Sequence, residues 1–157
     1  MDWLHRPEYT VPDVGDYGYG EFIASVDTLV IGRNSFEKVL SFSEWPYGEM
    51  PVVVLSSSGV SIPTRIQGTV TVEYGSPEEI VSMLEDRGRQ HLYIDGGVTI
   101  QRFLRAGLID EMTITRIPVL LGDGIPLFGA IGVEVQLKHI ATNSYENGFV
   151  QNQYQVL

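Results

Sequence analysis

Asp27-Thr28-Leu29-Val30-Ile31-Gly32-Arg33-Asn34-Ser35-Phe36-Glu37 is the stretch on which the fold turns. Thr28 to Ile31 is apolar and β-branched, as expected of a buried strand. Gly32 stops it. Asn34 to Leu40 then takes helical spacing through Phe36, Val39 and Leu40, and Asn34 or Ser35 is able to cap that helix. A strand that feeds a helix at once is the opening half of a crossover unit, which brings the next strand back parallel. Further along, Pro51 to Leu55 is a continuous apolar run bounded by Ser56-Ser57-Ser58-Gly59, and Thr69 to Glu73 is again β-branched. Ser76-Pro77-Glu78-Glu79 predicts a helix start: a serine cap, a proline in the first turn and a glutamate three residues after the cap. Ile80, Met83 and Leu84 form its apolar face, and Gly88 ends it.

The alternation continues. His91 to Asp95 predicts a strand, Gly96-Gly97 a turn and Thr99 to Ala106 a helix. Glu111 to Leu121 reads as a strand; Glu134 to Thr142 and Phe149 to Val156 read as two more, joined around Asn147-Gly148. Towards the N-terminus, Glu21 to Val26 reads as the end of a short helix, and residues 1–20 as loop. The expected fold class is therefore α/β, in three layers, with a mostly parallel mixed sheet between helices and a C-terminal antiparallel hairpin. A single domain spanning 1–157 suits the length.

Composition narrows the functions. Twenty acidic residues against ten basic give a net charge of −10, which repels nucleic-acid backbones, so no nucleic-acid partner is expected. The longest apolar runs, Pro51 to Leu55 and Ile117 to Leu121, fall far short of the ~20 residues of a membrane helix, so no membrane partner is expected. Cysteine is absent, which excludes a thiolate nucleophile or a Cys-ligated metal and is compatible with a reducing cytoplasm. His5, His91 and His139 are scattered and read as structural or surface residues, so no metal site is expected.

Three turns carry candidate chemistry, and each follows a strand. Gly32-Arg33-Asn34-Ser35 offers outward backbone N–H groups and a cation able to pair with a phosphate, or is a surface arginine beside a helix cap. Ser56-Ser57-Ser58 offers hydroxyls and amides for an adenosine phosphate, or is a polar turn. Asp95-Gly96-Gly97-Val98-Thr99 lets a backbone approach a diphosphate at a helix N-terminus, or is a turn needing positive φ. Ligands of open α/β sheets collect at the carboxyl ends of strands, so three such turns suggest one long anionic ligand across a shared rim. Gly122 to Phe128 is a fourth loop, either plain or lining the mouth of that cleft.

At these residues the sequence resembles a known family, the reductase domain of the bifunctional riboflavin-biosynthesis deaminase/reductase. It is closer still to small stand-alone bacterial proteins of the dihydrofolate-reductase superfamily. The resemblance runs through Asp2-Trp3-Leu4, the stretch quoted at the outset, Pro51 to Ser56, Leu92 to Gly97, Leu108 to Glu111 and Ile117 to Phe128. It implies a dihydrofolate-reductase-like fold and NADPH as hydride donor to a pterin, a pyrimidine such as 5-amino-6-(5-phosphoribosylamino)uracil, or a similar small heterocycle. By position, Gly32, Arg33, Asn34 and Ser35 would meet the adenosine phosphate side, Ser56 and Ser57 would flank the 2′-phosphate, and Gly96, Gly97, Val98 and Thr99 would cradle the diphosphate. The Gly-Arg-x-Ser form is that of the dihydrofolate-reductase side of the superfamily.

The resemblance also implies that Asp16 orients and helps protonate the substrate, because dihydrofolate reductase has a carboxylate at the same distance before its Gly-Arg pair. Glu21 is the substitute, and capping of the following helix is the other reading of Asp16. Trp3 would pack over cofactor or substrate, or lie in the core. Relatives carry a strand and a Ser-x-Asp-Gly turn ahead of the counterpart of Asp2-Trp3-Leu4, and this sequence opens at Met1; the expectation is an internal methionine taken as the start, or a shortened chain. Relatives commonly pair through their sheets, so a homodimer through the hairpin Glu134 to Val156 is expected. Two alternatives stay open: a non-catalytic nucleotide-binding module of the same fold, and a flavin-binding protein of unrelated fold.

Overall fold

A computed structural model describes residues 15–157. The expectations at Trp3 and His5 lie outside the described residues. The elements are α1 (Tyr19–Ser25), β1 (Thr28–Gly32), α2 (Arg33–Leu40), β2 (Val52–Leu55), β3 (Val70–Glu73), α3 (Pro77–Asp86), β4 (Leu92–Asp95), α4 (Gly97–Arg105), β5 (Glu111–Arg116), β6 (Leu137–Ser144) and β7 (Val150–Val156). The fold is the expected α/β class, a parallel sheet with helices followed by antiparallel strands. The hydrogen bonding falls into two sheets, one of four strands in the order β3-β2-β1-β4 and one of three in the order β5-β7-β6. Among the described residues β4 pairs only with β1, and β5 only with β7. The chain likewise groups into two compact units. One runs from Glu21 to Leu108 and takes in Pro126–Gly132; the other holds 15–20, 109–125 and 133–157 of the described residues.

In the first unit β1 is the pivot. It pairs in parallel with β2 (Leu29 beside Val52, Ile31 beside Val54) and with β4 (Leu29 beside Tyr93, Ile31 beside Asp95). Leu29, Ile31, Val52, Val54 and Val70 share one face of the sheet, which Phe36 and Val39 of α2 close. Val30 and Val53 are one residue out of phase, so they face the other side, and they too are buried. That is why these strands read as unbroken apolar runs rather than alternating ones. Phe103 and Leu104 of α4, a helix that packs on β1 and β4, are buried outside the first cluster.

Local signals explain most boundaries. Ser76 and Glu79 form a complete capping box at α3, each side chain bonded to the other's backbone N–H. The Asp27 carboxylate accepts the N–H groups of Gln90 and His91, which ties the chain entering β4 to the start of β1.

Three expectations need correction. Neither Asn34 nor Ser35 caps α2: the strand runs straight into the helix, Gly32 takes the N-cap position, and no side chain bonds there. The strand from Glu111 ends at Arg116 rather than Leu121, because Pro118 has no N–H for the ladder and Val119 turns back to bond the Ile117 carbonyl. The next strand starts at Leu137, not Glu134.

In the second unit the five residues 145–149 connect β6 to β7. The Gly148 N–H bonds the Tyr145 carbonyl, and the Asn147 side chain accepts from the Phe149 N–H. Tyr17, in the left-handed region at φ 58°, stacks on Phe149 and meets Tyr145 edge-on. Its carbonyl and hydroxyl accept bonds from the side chains of Gln151 and Asn147 respectively. Those contacts hold a backbone conformation that a tyrosine would not keep alone.

Candidate functional site

Parallel pairing puts the C-terminal ends of β1, β2 and β4 on one rim, with β1 in the middle. The three candidate turns leave from those ends. The structure brings them into contact in two ways. First, the turns after β1 and β4 pack without Cβ atoms between them. A Cβ on Gly32 would lie 2.8 Å from Thr99 Oγ1, and one on Gly96 would lie 2.7 Å from Ser35 Oγ. Gly96 also sits at φ 92°, where a side chain is strained whatever the space. Second, Arg33 spans from the β1 turn to the β2 turn. Its Nη1 donates to Ser58 Oγ at 2.9 Å, while its Nε pairs with Glu37 at 2.8 Å. Ser56 folds its own turn, donating to the Gly59 carbonyl and accepting from the Ser58 N–H.

Gly32 and Gly96 are the N-caps of α2 and α4, and neither helix start has a side-chain cap. The first-turn N–H groups there are available to a ligand, unlike those of α3 with its capping box. Val98 is exposed on the first turn of α4, and Thr99 is buried against Gly32.

Beside Arg33 lies a cleft of about 330 Å³ lined by Arg33, Leu55, Ser56, Ser57, Ser58, Tyr74, Gly75 and Arg102. Among the described residues its lining has two arginines and no carboxylate, in a chain of net charge −10. Sequence reasoning missed Arg102, Tyr74 and Gly75. Tyr74 and Gly75 follow β3, and only the sheet order shows that β3 flanks β2. Arg102 lies on α4 and carries no local signal; its Nη2 donates to the Gly75 carbonyl at 2.9 Å.

Asp95 is a further residue to which the sequence reading gave no role of its own. It ends β4, half-buried, and accepts the Gly96 N–H at 2.7 Å. Burial pushes its carboxyl above the usual aspartate range, and the Gly96 bond opposes this without cancelling it. The other carboxylate candidates stand differently. Asp16 is exposed, and its two oxygens accept the N–H groups of Gly18 and Gly20 at the start of α1, the capping arrangement. Glu21 is exposed in the first turn of α1. His91 and His139 are exposed, and His139 bonds Thr142 on its own strand. No group of metal-ligating side chains occurs among the described residues. Among them too, no helix is long and apolar enough to cross a membrane. Gln101 donates to the carbonyls of Pro126 and Leu127, and Arg105 to those of Ala130 and Ile131, so α4 clasps the loop that follows Gly122-Asp123-Gly124.

The parallel sheet, with helix starts on its carboxyl rim and a cationic cleft beside them, belongs to an α/β protein of dihydrofolate-reductase-like fold. The RibD C-terminal domain profile matches residues 19–151, and the chain belongs to that family, a family of reductase domains. A provisionally named riboflavin biosynthesis protein from Shewanella sp. PV-4 superimposes with a TM-score of 0.92 at 40% identity, over 100% of this chain and 88% of that one. The uncharacterized protein YwjB of Bacillus subtilis (strain 168) is 31% identical over 147 residues, 92% of this chain and 80% of YwjB. Dihydrofolate reductase from Enterococcus faecalis, in a complex with NADP(H), shares the fold at a TM-score of 0.62 and 21% identity, over 89% of this chain and 81% of that one.

Two measurements check this geometry. Gly96→Ala meets both a positive φ and Ser35 Oγ, so it should lower unfolding free energy by about 1–3 kcal/mol, whereas Gly97→Ala, with nothing within 4 Å, should not. Urea titration reads both. Asp95 binds its proton more tightly folded than unfolded, so its contribution to stability falls as pH rises from the unfolded value towards the raised folded one, and stays low above it. Asp95→Asn should therefore raise the melting temperature at pH 7 and leave it unchanged near pH 3.

Proposed function

We propose that the chain is an NADPH-dependent reductase that transfers hydride to a pterin, a pyrimidine or a similar small heterocycle. The observation that carries this reading is the convergence of three turns, on the carboxyl ends of adjacent parallel strands, with an arginine bridging two of them. The fit to the cofactor rests on chain geometry. The starts of α2 and α4 carry no side-chain cap, which leaves the first-turn N–H groups of Arg33–Ser35 and Gly97–Thr99 for a diphosphate. Ser56, Ser57 and Arg33 line a cleft that has no carboxylate among the described residues, as a 2′-phosphate needs. NADPH, when bound, supplies the hydride; the residues here bind and orient. Family membership supports a reductase, and the Enterococcus faecalis enzyme of like fold holds NADP(H).

Proton delivery falls to Asp16, with Glu21 as the substitute. Asp16→Asn removes the acid and keeps one of the two accepting oxygens, so a loss of turnover in a variant that still folds, judged by circular dichroism, would mark a proton role. The exposure of both carboxylates favours one other reading, a nucleotide-binding module without turnover. A single assay decides. The expected result is loss of NADPH absorbance with a dihydropterin or aminouracil acceptor and a weaker response to NADH. Binding of NADPH with no oxidation across such acceptors favours the module, and no binding of NADPH sinks both.

The proposal includes a cytoplasmic homodimer paired through β6 and β7. The chain has no cysteine, and the long strand β6 exposes Leu137 and Ile140 at 41% and 54%. Sedimentation should return twice the 17.5 kDa chain mass, and a monomer at assay concentration would remove the dimer.

A further inference from the structure

Arg102 and Arg33 enter the same cleft from different elements, and they are not equally free. The Arg33 charge is offset by Glu37 at 2.8 Å, and its Nη1 is held by Ser58. Arg102 is half-buried and forms no ion pair among the described residues. Among those residues its one hydrogen bond goes to the neutral carbonyl of Gly75, and Nε and Nη1 have no acceptor. One acid feels it: Glu78 is held below the usual glutamate range first by its own backbone N–H, then by the Ser76 hydroxyl and least by Arg102. Tyr74, 79% exposed, stands in the lining beside it and offers a flat ring. A planar guanidinium with unused donors, a flat exposed ring and a serine turn around one cleft suit a base bearing a ribose phosphomonoester.

The geometry points to Arg102 as the residue that makes the cleft prefer a nucleotide with a ribose phosphomonoester over one without it. This rests on the proposed NADPH site and assigns the choice between NADPH and NADH to a side chain outside the three turns. On binding, Arg102 keeps or gives up the Gly75 carbonyl and directs its free N–H groups to the phosphate, with Arg33 on the other side. Tyr74 stacks the base.

The test compares 2′,5′-ADP with 5′-AMP, and NADPH with NADH, by titration calorimetry on the wild-type chain, Arg102→Gln and Arg102→Lys. Glutamine keeps an N–H for Gly75 and removes the charge; lysine keeps the charge and loses the planar fork. Wild-type protein should prefer 2′,5′-ADP. Arg102→Gln should weaken 2′,5′-ADP and NADPH by about 10- to 100-fold, with 5′-AMP and NADH little changed, and Arg102→Lys should fall between. Unchanged preference in the folded variants, judged by circular dichroism, overturns the role of Arg102 while the cofactor site stands. If Arg102→Gln does not fold, the lysine variant decides: an unaltered ratio overturns the assignment. If wild-type protein binds neither NADPH nor 2′,5′-ADP, the cofactor reading itself fails.

Discussion

The parallel pairing of β1 with both β2 and β4 is the constraint from which the rest follows. Parallel strands end on the same side, so every turn that leaves a carboxyl end is delivered to one rim. Burial of both faces of β1 keeps that register fixed, since a one-residue slip would exchange Leu29 and Ile31 with Val30 and turn the α2 contact away from Phe36. The close approach at Gly32 and Gly96 is a second layer of the same constraint. With adjacent strands side by side, the turns they feed are crowded, and the absence of Cβ atoms at two positions lets Ser35 and Thr99 fill the gap.

Much of this was legible in the sequence because it is written in local patterns. The run Thr28 to Ile31 ending at Gly32, the Ser76-Pro77-Glu78-Glu79 box and the Gly96-Gly97 turn each carry their reason within a few residues. What escaped depends on residues distant in the chain. Arg102 meets Gly75 only because β3 and α4 are brought together by the sheet order. Asp95 becomes unusual only through burial, which its place at a strand end does not reveal. The polar residues Asn34 and Ser35 looked like caps, yet the helix begins before them and Ser35 is used for packing at Gly96. At Ile117 to Leu121 an apolar run outweighed Pro118 in the reading, and the hydrogen-bond ladder obeyed the proline.

Charge is distributed with equal economy. An acidic chain disperses its carboxylates over exposed positions and commits several to backbone N–H groups: Asp16 at the start of α1, Glu79 at α3, Asp27 ahead of β4. The cleft beside Arg33 is excepted, with arginines and hydroxyls but no acid among the described residues of its lining. Net charge therefore describes how the molecule meets other macromolecules, while the cleft sets its own local sign.

The joint between β1 and α2 has a mechanical consequence. Gly32 is both the last residue of the strand and the cap of the helix, so no loop separates them. One inserted residue would rotate the helix by about 100°, lifting Phe36 off the sheet and swinging Arg33 away from Ser58. The bearing of the leading amides of α2 is thus inherited from the sheet itself, and this corner of the molecule has no slack with which to adjust to whatever it holds.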